Sequence, residues 1–520
     1  MKTSKQDISD WAVDNLTRVI AIDSQSDETS KEIPSTEGQR RLSDDLRAYF
    51  SALGFRCEQD QSANLLVTVP GRGCGVERPP LALMVHIDTA QGTAAVASLC
   101  EVPSWDGQAI PYPDNPRLEV SVDTFPELQP YRGQDILHGP GVSPVGFDDK
   151  IGVAELMTLA RVLAENPELD TPELVLVFRP DEEIGRMEAV VSVADVLAKR
   201  GVTHGYTIDG LAPFEINTEN FNASQAELRI AGEPLEYGDA TELTLNVLGC
   251  KSHGATAKAE GYLNATVILA RLLPELDRRR VVPVRFVTDL DSEVNAKVTW
   301  LLLDSDPAER SKSEERLLSK LNAQLEPHRY KGAAIEVIER TPFAKAGRNN
   351  AVERALGFVR AMLEGESPTP VLSEDSDGFE GYSNPYAIEP IDGGAKLSVR
   401  IRDFRPTGLA DREEHVRRIA SGRGELQIES QYVNMGPVLA KSPELVRWAE
   451  SALEPLGVTA AHLPIRGGTG VDPFLERGIP VANLGTGYFA PESEKELTSR
   501  QNIASTVLWL TELVRQVALG

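Results

Sequence analysis

LVLVFRPDEEIG, residues 174–185, is the stretch of sequence that decides the fold. Its first four residues form an apolar run bounded by polar residues, which predicts a buried β-strand. Three adjacent acidic residues, Asp181, Glu182 and Glu183, follow directly where the strand ends. Adjacent carboxylates repel one another, so such a run either lies in a solvated loop or is compensated by cations or a metal. Polar and acidic residues at the ends of other predicted strands favour the second interpretation, compensation by cations or a metal.

Three more segments carry polar groups at comparable places. The apolar run 81–85 ends in His86 and Asp88, and a predicted strand at 205–208 ends in Asp209. GFDDK, residues 146–150, opens an amphipathic helix, which places Asp148 at a helix N-terminus, where negative charge is favoured. Strands that alternate with helices predict an α/β domain with a largely parallel sheet, and sites in such sheets form at the carboxyl ends of strands.

The pattern changes after residue 222. Alternating segments at 226–230 and 242–247 predict antiparallel strands, and the α/β pattern returns near residue 433. We therefore expect a catalytic α/β domain, mostly parallel and covered by helices, formed by residues 1–222 and 433–520. An α+β lid or dimerisation domain, residues 223–432, is inserted into it. Within the insertion, 297–304 resembles 396–403, which indicates either an internal duplication or shared patterning alone.

Helical periodicity and turn signals predict the remaining elements. Helices are expected at 8–22, 36–53, 187–199, 442–455 and 497–517. The segment 90–146 is rich in Pro and Gly and too long for an ordinary connection, so we expect it to cover a functional site. The proline-rich segment 365–386 is predicted to be a loop.

Composition limits the classes of function. With 520 residues the chain is long enough for two or more domains. A net charge of −26 argues against nucleic acid or an anionic membrane as a partner. We expect a cytoplasmic protein, because the first residues lack the apolar core of a signal peptide and no segment is long enough to span a bilayer. The chain has four cysteines, Cys57, Cys74, Cys100 and Cys250. Their spacing is not that of metal ligands, so the sequence indicates neither a disulfide framework nor a thiolate zinc site.

The groups at the strand ends are one imidazole and several carboxylates. This ligand set suits divalent metals that serve in hydrolysis, such as zinc, manganese or cobalt. Two such ions about 3.5–4 Å apart can bind a hydroxide nucleophile and polarise a carbonyl, and one Asp carboxylate can bridge them. One carboxylate must stay off the metals to take the proton of the water, and Glu182, next to a ligand, is well placed to do so.

Taken together, these motifs resemble those of the di-zinc exopeptidases related to peptidase T. The resemblance follows the order of the motifs along nearly the whole chain: HIDT (86–89), FDDK (147–150), PDEEIG (180–185), YTIDG (206–210), ENFNA (219–223), HGATAK (253–258), IRDF (401–404), YVNM (432–435) and IRGGT (465–469). It implies an aminopeptidase that acts on short peptides, in which Glu182 activates a metal-bound water. Two divalent ions are implied, zinc first, with manganese or cobalt as alternatives.

The resemblance also implies roles for single residues. His86 and Asp209 would bind one metal, Asp148 would bridge, and Glu183 would bind the other. Asp88 would orient His86, and His253 would stabilise the oxyanion. The peptide backbone or carboxylate would be bound by Arg466 and, less strongly implied, Arg402 and Asn434.

The chain departs from the family pattern at two positions. The family has a second metal-binding His after the last strand, where this chain has Glu492, with the acidic Glu496 four residues later. We expect Glu492 to replace the His, which leaves a carboxylate-only site and shifts its preference toward manganese or magnesium, or lowers its occupancy. Gly470 stands where the family has Asp, which affects the positioning of the substrate.

Two other functions are compatible with the same residues. The metals could serve hydrolysis of N-acylated amino acids or related small amides, or the chain could be a metal- or peptide-binding relative without catalysis. Glu182 and His253 weigh against the binding protein, since binding alone needs neither. The resemblance leaves two oligomeric states open: a monomer with a doubled lid, or a homodimer in which His253 serves the neighbouring subunit.

Overall fold

This computed structural model describes residues 2–250, 264–288, 294–343, 348–376 and 379–520. In chain order the α-helices are α1 (Lys5–Ile20), α2 (Glu37–Ala52), α3 (Phe147–Glu165), α4 (Glu188–Lys199), α5 (Ala265–Leu272), α6 (Pro307–Leu325), α7 (Ala351–Glu364), α8 (Pro406–Ala420), α9 (Gly436–Leu439), α10 (Glu444–Ser451), α11 (Asp472–Glu476) and α12 (Arg500–Leu519). Short 3₁₀ turns lie at Gly73–Glu77, Pro126–Tyr131, Leu273–Glu275, Glu326–Lys331, Ser373–Asp375 and Glu454–Leu456.

The strands are numbered in the same way. They are β1 (Arg56–Gln59), β2 (Leu65–Val69), β3 (Leu81–His86), β4 (Cys100–Val102), β5 (Ile136–His138), β6 (Leu174–Arg179), β7 (His204–Gly210), β8 (Glu215–Asn217), β9 (Asn222–Ala231), β10 (Thr241–Leu248), β11 (Val281–Val287), β12 (Val294–Leu302), β13 (Ala334–Pro342), β14 (Tyr382–Ile391), β15 (Gly394–Asp403), β16 (Glu425–Tyr432), β17 (Ala461–His462), β18 (Val481–Gly485) and β19 (Leu497–Ser499).

The chain divides into two compact units. One comprises Met1–Asn220, Met435–Ile465 and Thr469–Gly520, and the other comprises Phe221–Asn434 and Arg466–Gly468. The roles of catalytic domain and of lid or dimerisation domain remain predictions for these units. Among the described residues, none of the helices combines the length and apolarity that crossing a bilayer requires.

The first unit is built on an eight-stranded sheet in the order β1-β2-β6-β3-β7-β18-β8-β17. The central pairs β6–β3, β3–β7 and β7–β18 are parallel, whereas β1–β2, β2–β6 and β18–β8 are antiparallel. Every residue of β3 and β6 is buried, as expected for a sheet with both faces covered. The predicted α/β class is confirmed, and its parallel part is the centre of the sheet, where β3, β6 and β7 bring their carboxyl ends to one edge.

Helices enclose this sheet. On α3 nearly every residue is buried, and it packs against α1, α12, β3 and β7. The amphipathic α2 contacts β1 and β2, and its Phe50 ring lies 5.2 Å from that of Phe178 on β6. These contacts fix the carboxyl end of β6, where the acidic run begins.

The segment 90–146 forms regular structure of its own. Its strands β4 and β5 pair with each other, and β5 also pairs with β19, far along the chain. A separate apolar core supports this sheet: Trp105, Ile110, Tyr112, Val120, Leu128, Tyr131, Ile136 and Leu497. The function of this segment as a cover stays a prediction.

The second unit contains two antiparallel four-stranded sheets, in the orders β11-β12-β10-β13 and β14-β15-β9-β16. The similar sequences 297–304 and 396–403 run through β12 and β15, which occupy the same position in their sheets. Each is followed by a helix, α6 or α8, and then by an edge strand, β13 or β16. The unit therefore has the predicted α+β architecture, and its two sheets share one strand order.

Two predicted boundaries are wrong. The segment 365–386 is not a loop throughout, because β14 begins at Tyr382 and pairs with β15 in spite of Pro385, beside which the pairing register shifts. The last helix begins at Arg500 rather than at 497, because Leu497–Ser499 pairs with β5 and the Ser499 side chain caps the helix by accepting from the Asn502 N–H.

Candidate functional site

Three predicted ligands meet at the carboxyl edge of the parallel strands. His86 ends β3, Asp209 lies near the end of β7, and Asp148 lies at the start of α3, where its backbone is not yet helical. The Nε2 atom of His86 is 2.9 Å from Oδ1 of Asp148 and 3.5 Å from Oδ1 of Asp209. One ligand atom from each residue lies within 4.8 Å of the others, so the group could hold a metal ion.

Electrostatics in this group are dominated by burial and negative charge. Burial alone would lower the pKa of His86, but the carboxylates of Asp209, Asp148 and Asp88 together raise it well above the ordinary value. Burial, with the neighbouring Asp148 carboxylate, raises the pKa of Asp209 to about 7. A divalent cation would relieve both perturbations, because it stabilises the ionised carboxylates and takes the imidazole lone pair.

A second group of three acids shares Asp148 with the first. One oxygen each from Asp148, Glu183 and Glu492 lies within 4.8 Å of the others. Burial raises the pKa of Glu183 well above its ordinary value, and Asp148 and Glu492 add to this. Within the described part of the chain, the buried Oε1 atom of Glu183 has no hydrogen-bond partner. A buried carboxylate oxygen without a donor is the environment that a cation would satisfy.

Asp88 supports the site in a broader way than predicted. The Nδ1 atom of His86 lies 2.9 Å from the backbone carbonyl of Asp88, and the Asp88 carboxylate is 3.4 Å from the same atom. That carboxylate accepts the backbone N–H groups of Glu182 and Glu183 at 3.0 and 3.1 Å. Asp88 therefore joins the end of β3 to the acidic run after β6.

Asp181 anchors the acidic run from the other side. It is fully buried, its φ of 55° lies in the left-handed region, and its carboxylate accepts from Ser35 and from Gln39 Nε2, the latter at 2.7 Å. A non-glycine residue in this conformation is strained and persists only where neighbouring contacts hold it. Asp181 thus fixes the turn that presents Glu182, whose side chain is 17% exposed and accessible to solvent.

The turn that carries Glu492 is held by a buried carboxylate. Glu496 is 1% exposed, and its Oε2 accepts the N–H groups of Val145, Gly146 and Phe147 at 2.7, 2.9 and 3.3 Å. Its Oε1 accepts the Glu492 N–H at 2.9 Å. Glu496 therefore links the residues just before Asp148 to the backbone of Glu492, whose φ of 54° again lies in the left-handed region.

Two further residues contact the predicted ligands and were missed from the sequence. The hydroxyl of Tyr488, just past β18, donates to Oδ2 of Asp148 at 2.9 Å. The buried Asp149 accepts the backbone N–H of His86 at 3.1 Å. Asp149 could have been found from its place in the acidic pair at the start of α3, whereas a tyrosine in a glycine-rich loop gives no such signal.

The predicted substrate-binding residues lie in the second unit. Arg402 is 8% exposed and donates to the backbone carbonyls of Ser224 and Ile401, and Asn434 donates to the carbonyl of Phe404. The guanidinium of Arg466 lies over the ring of Phe221 and donates to Ser376 Oγ at 3.0 Å. His253 lies outside the described residues. Binding of substrate by these residues stays a prediction.

A family model described as Peptidase family M20/M25/M40 matches residues 118–516. The chain belongs to this family. Among curated relatives, the Peptidase T of Limosilactobacillus fermentum is 33% identical over 509 residues, which cover 95% of this chain and 94% of the relative. The Peptidase T of Shouchella clausii is 26% identical over 515 residues, covering 97% and 98%. The resemblance to the peptidase T group is thereby confirmed.

Solved structures of two peptidases share the fold. The aminopeptidase PepT from Bacillus cereus aligns with a TM-score of 0.52 at 13% identity, covering 98% of this chain and 99% of that one. Aminoacylhistidine dipeptidase from Vibrio alginolyticus aligns with a TM-score of 0.57 at 16% identity, covering 99% and 98%. At these identities the likeness establishes the architecture, which confirms the predicted α/β unit with an inserted α+β unit.

Proposed function

We propose that this member of the peptidase family hydrolyses short peptides with two divalent cations and releases the N-terminal residue. The observation that carries the proposal is Asp148, whose carboxylate belongs to both candidate ligand groups. In two-metal hydrolases the ions lie about 3.5–4 Å apart, and Asp148 is the residue that would contribute a ligand to both. The matches to Peptidase T over nearly the full length of both chains support short peptides as substrates.

The donor atoms fit two cations of different preference. His86, Asp148 and Asp209 form a mixed nitrogen and oxygen set, which suits zinc. The carboxylate-only group with Glu183 and Glu492 suits manganese as well as zinc. When bound, such ions lower the pKa of a water and polarise the scissile carbonyl.

Glu182 has the position expected of a general base. It adjoins Glu183, and its backbone N–H donates to Asp88, so the turn that carries it is fixed. Its partly exposed carboxylate can accept the proton of the attacking water and deliver it to the departing amine. Recognition of the substrate's carboxylate is assigned to Arg466, because the bonds of Arg402 to backbone carbonyls indicate a structural role for that guanidinium.

The test is a panel of di- and tripeptides, free and N-acetylated, assayed with zinc or manganese. We expect cleavage of the first bond of free tripeptides, loss of activity on dialysis against a chelator, and recovery when metal is restored. Glu182→Gln should lower kcat by about 10²–10⁴-fold, the contribution of a general base, while metal content stays unchanged. Glu188→Gln, which removes an exposed carboxylate at the start of α4, is the matched control.

The outcomes separate the alternatives. Turnover of N-acetylated substrates alone would assign the site to small amides. No turnover of any peptide with both metals bound would indicate a binding protein, and activity that survives in Glu182→Gln would remove Glu182 as the base.

A further inference from the structure

A buried arginine connects the acidic run to a distant turn of the first unit. Arg179 is the last residue of β6 and is 3% exposed. Its Nη1 donates to the carbonyl of Gly470 and its Nη2 to the carbonyl of Thr469, both at 2.9 Å. Nη2 also lies 3.4 Å from Oε1 of Glu182. One guanidinium therefore contacts the carboxylate of the proposed base and two backbone oxygens of the turn.

The same contact explains the glycine at position 470. Its φ is 58°, and a Cβ atom there would lie 2.1 Å from Nη1 and 2.7 Å from Nη2 of Arg179. Both distances are far below van der Waals contact, so a side chain at 470 and the observed position of Arg179 exclude each other. At the position where the family has Asp, this chain thus has Gly470, and the guanidinium of Arg179 fills the adjacent space.

We propose that Arg179 is a positioning residue for the reaction: it fixes the carboxylate of Glu182, and Gly470 is required to make room for it. The proposal rests on the proposed function, in which Glu182 acts as the base. The planar guanidinium can contact two carbonyls and a carboxylate at once in fixed directions, which a lysine ammonium cannot reproduce. Because a misplacement of about 1 Å in a catalytic group can lower a rate by about 100-fold, this orientation matters for turnover.

Steady-state kinetics test the positioning role. We expect Arg179→Gln to lower kcat by about 10- to 100-fold with little change in KM and in metal content. Arg179→Lys keeps the buried positive charge and is the second variant if Arg179→Gln fails to fold. Its kcat should lie between those of Arg179→Gln and wild type. A role in holding the 469–470 turn alone would instead leave kcat unchanged and raise KM, since Arg466, the residue proposed to bind the substrate, lies three positions earlier in the sequence. Wild-type kcat in Arg179→Lys and Arg179→Gln would overturn the proposal.

A double-mutant cycle tests the second part of the proposal, that Gly470 makes room for Arg179, without any assay of activity. Gly470→Ala should lower the urea midpoint of unfolding more than Gly478→Ala, a control whose φ of 74° is also left-handed but which has no atoms near the added Cβ. In an Arg179→Ser background this excess should disappear, because the clashing guanidinium is gone. An excess that persists would refute the pairing of Arg179 with Gly470.

The two failures are distinguishable. If the wild-type protein hydrolyses no peptide, the proposed function fails, and the unfolding cycle still decides whether Arg179 excludes a side chain at 470. If wild type is active and the Arg179 variants keep its kcat, the positioning role alone fails.

Discussion

Replacing Glu496 by Gln is the most direct test of how the second ligand group is held together. The carboxylate of Glu496 accepts four backbone N–H groups, three just before Asp148 and one from Glu492. Glutamine has nearly the same shape but only one carbonyl oxygen. If that oxygen turns toward residues 145–147, the amide NH₂ faces the Glu492 N–H, so two donors oppose each other and one hydrogen bond is lost.

The size of the effect follows from that single bond. Burial raises the pKa of Glu496 to about 7, so the carboxylate is charged above that pH. A hydrogen bond to a charged acceptor contributes about 1.5–3 kcal/mol, and each 1.4 kcal/mol corresponds to about a factor of ten in an equilibrium constant. We therefore expect Glu496→Gln to weaken binding of one of the two metals by about 10- to 100-fold. This agrees with the loss of about 10- to 100-fold in metal affinity when the partners of metal ligands are removed.

Equilibrium dialysis measures this change directly. Protein is dialysed against buffers of defined free manganese or zinc, and metal per chain is determined by elemental analysis. Glu494→Gln, which removes the same charge from the same turn while the carboxylate of Glu496 is kept, is the control and should bind as wild type does. Retention of both metals at wild-type affinity by a folded Glu496→Gln would refute the reasoning that this carboxylate aligns Glu492 with Asp148.

Two further predictions concern other buried groups. Burial raises the pKa of Tyr488, so its hydroxyl remains a donor to Asp148, and Tyr488→Phe should lower kcat/KM by about tenfold or more; unchanged kinetics would contradict this. Burial also raises the pKa of Glu155 well above 4.5, so the stability contributed by its protonated form is fully present below its pKa in the unfolded chain and is lost as the pH rises toward its pKa in the folded protein. Relative to wild type, Glu155→Gln should therefore gain about 1.4 kcal/mol of unfolding free energy per pH unit in that window, and equal pH dependence in urea unfolding of both proteins would be the contrary result.

The fold was predictable where local pattern reports burial. The apolar runs 81–85 and 174–177 became β3 and β6, in which every residue is buried, and α1, α2 and α4 lie within a few residues of their predicted bounds. Pairings between distant segments were not predictable. Nothing in Leu497–Ser499 indicates that it pairs with β5, some 360 residues earlier, because a three-residue strand has too little alternation to be recognised.

The predicted ligands of the candidate site could be recognised from their positions at strand ends, whereas the residues that support them could not. His86 and Asp209 lie at the carboxyl ends of β3 and β7, and Glu183 follows β6. These strands are neighbours in the sheet, so the sequence positions imply that the three residues meet. Tyr488 and Arg179, by contrast, contact residues that are far away in the sequence, Asp148 and Gly470 respectively. Arginine at the end of a buried strand is an unusual residue, but its partner at Gly470 is visible only once the turn and the strand are placed together.

The acidic run after β6 shows why three adjacent carboxylates are tolerated. Asp181 is compensated by neutral donors from Ser35 and Gln39, with Arg186 at 3.7 Å, and Glu182 by the guanidinium of Arg179. Glu183 is the member whose buried oxygen lacks a partner among the described residues, and its nearest charged neighbours include further acids. Two of the three charges are thus compensated by the protein itself. A cation in the candidate metal site would compensate the third, because Asp148 and Glu492 lie close to it.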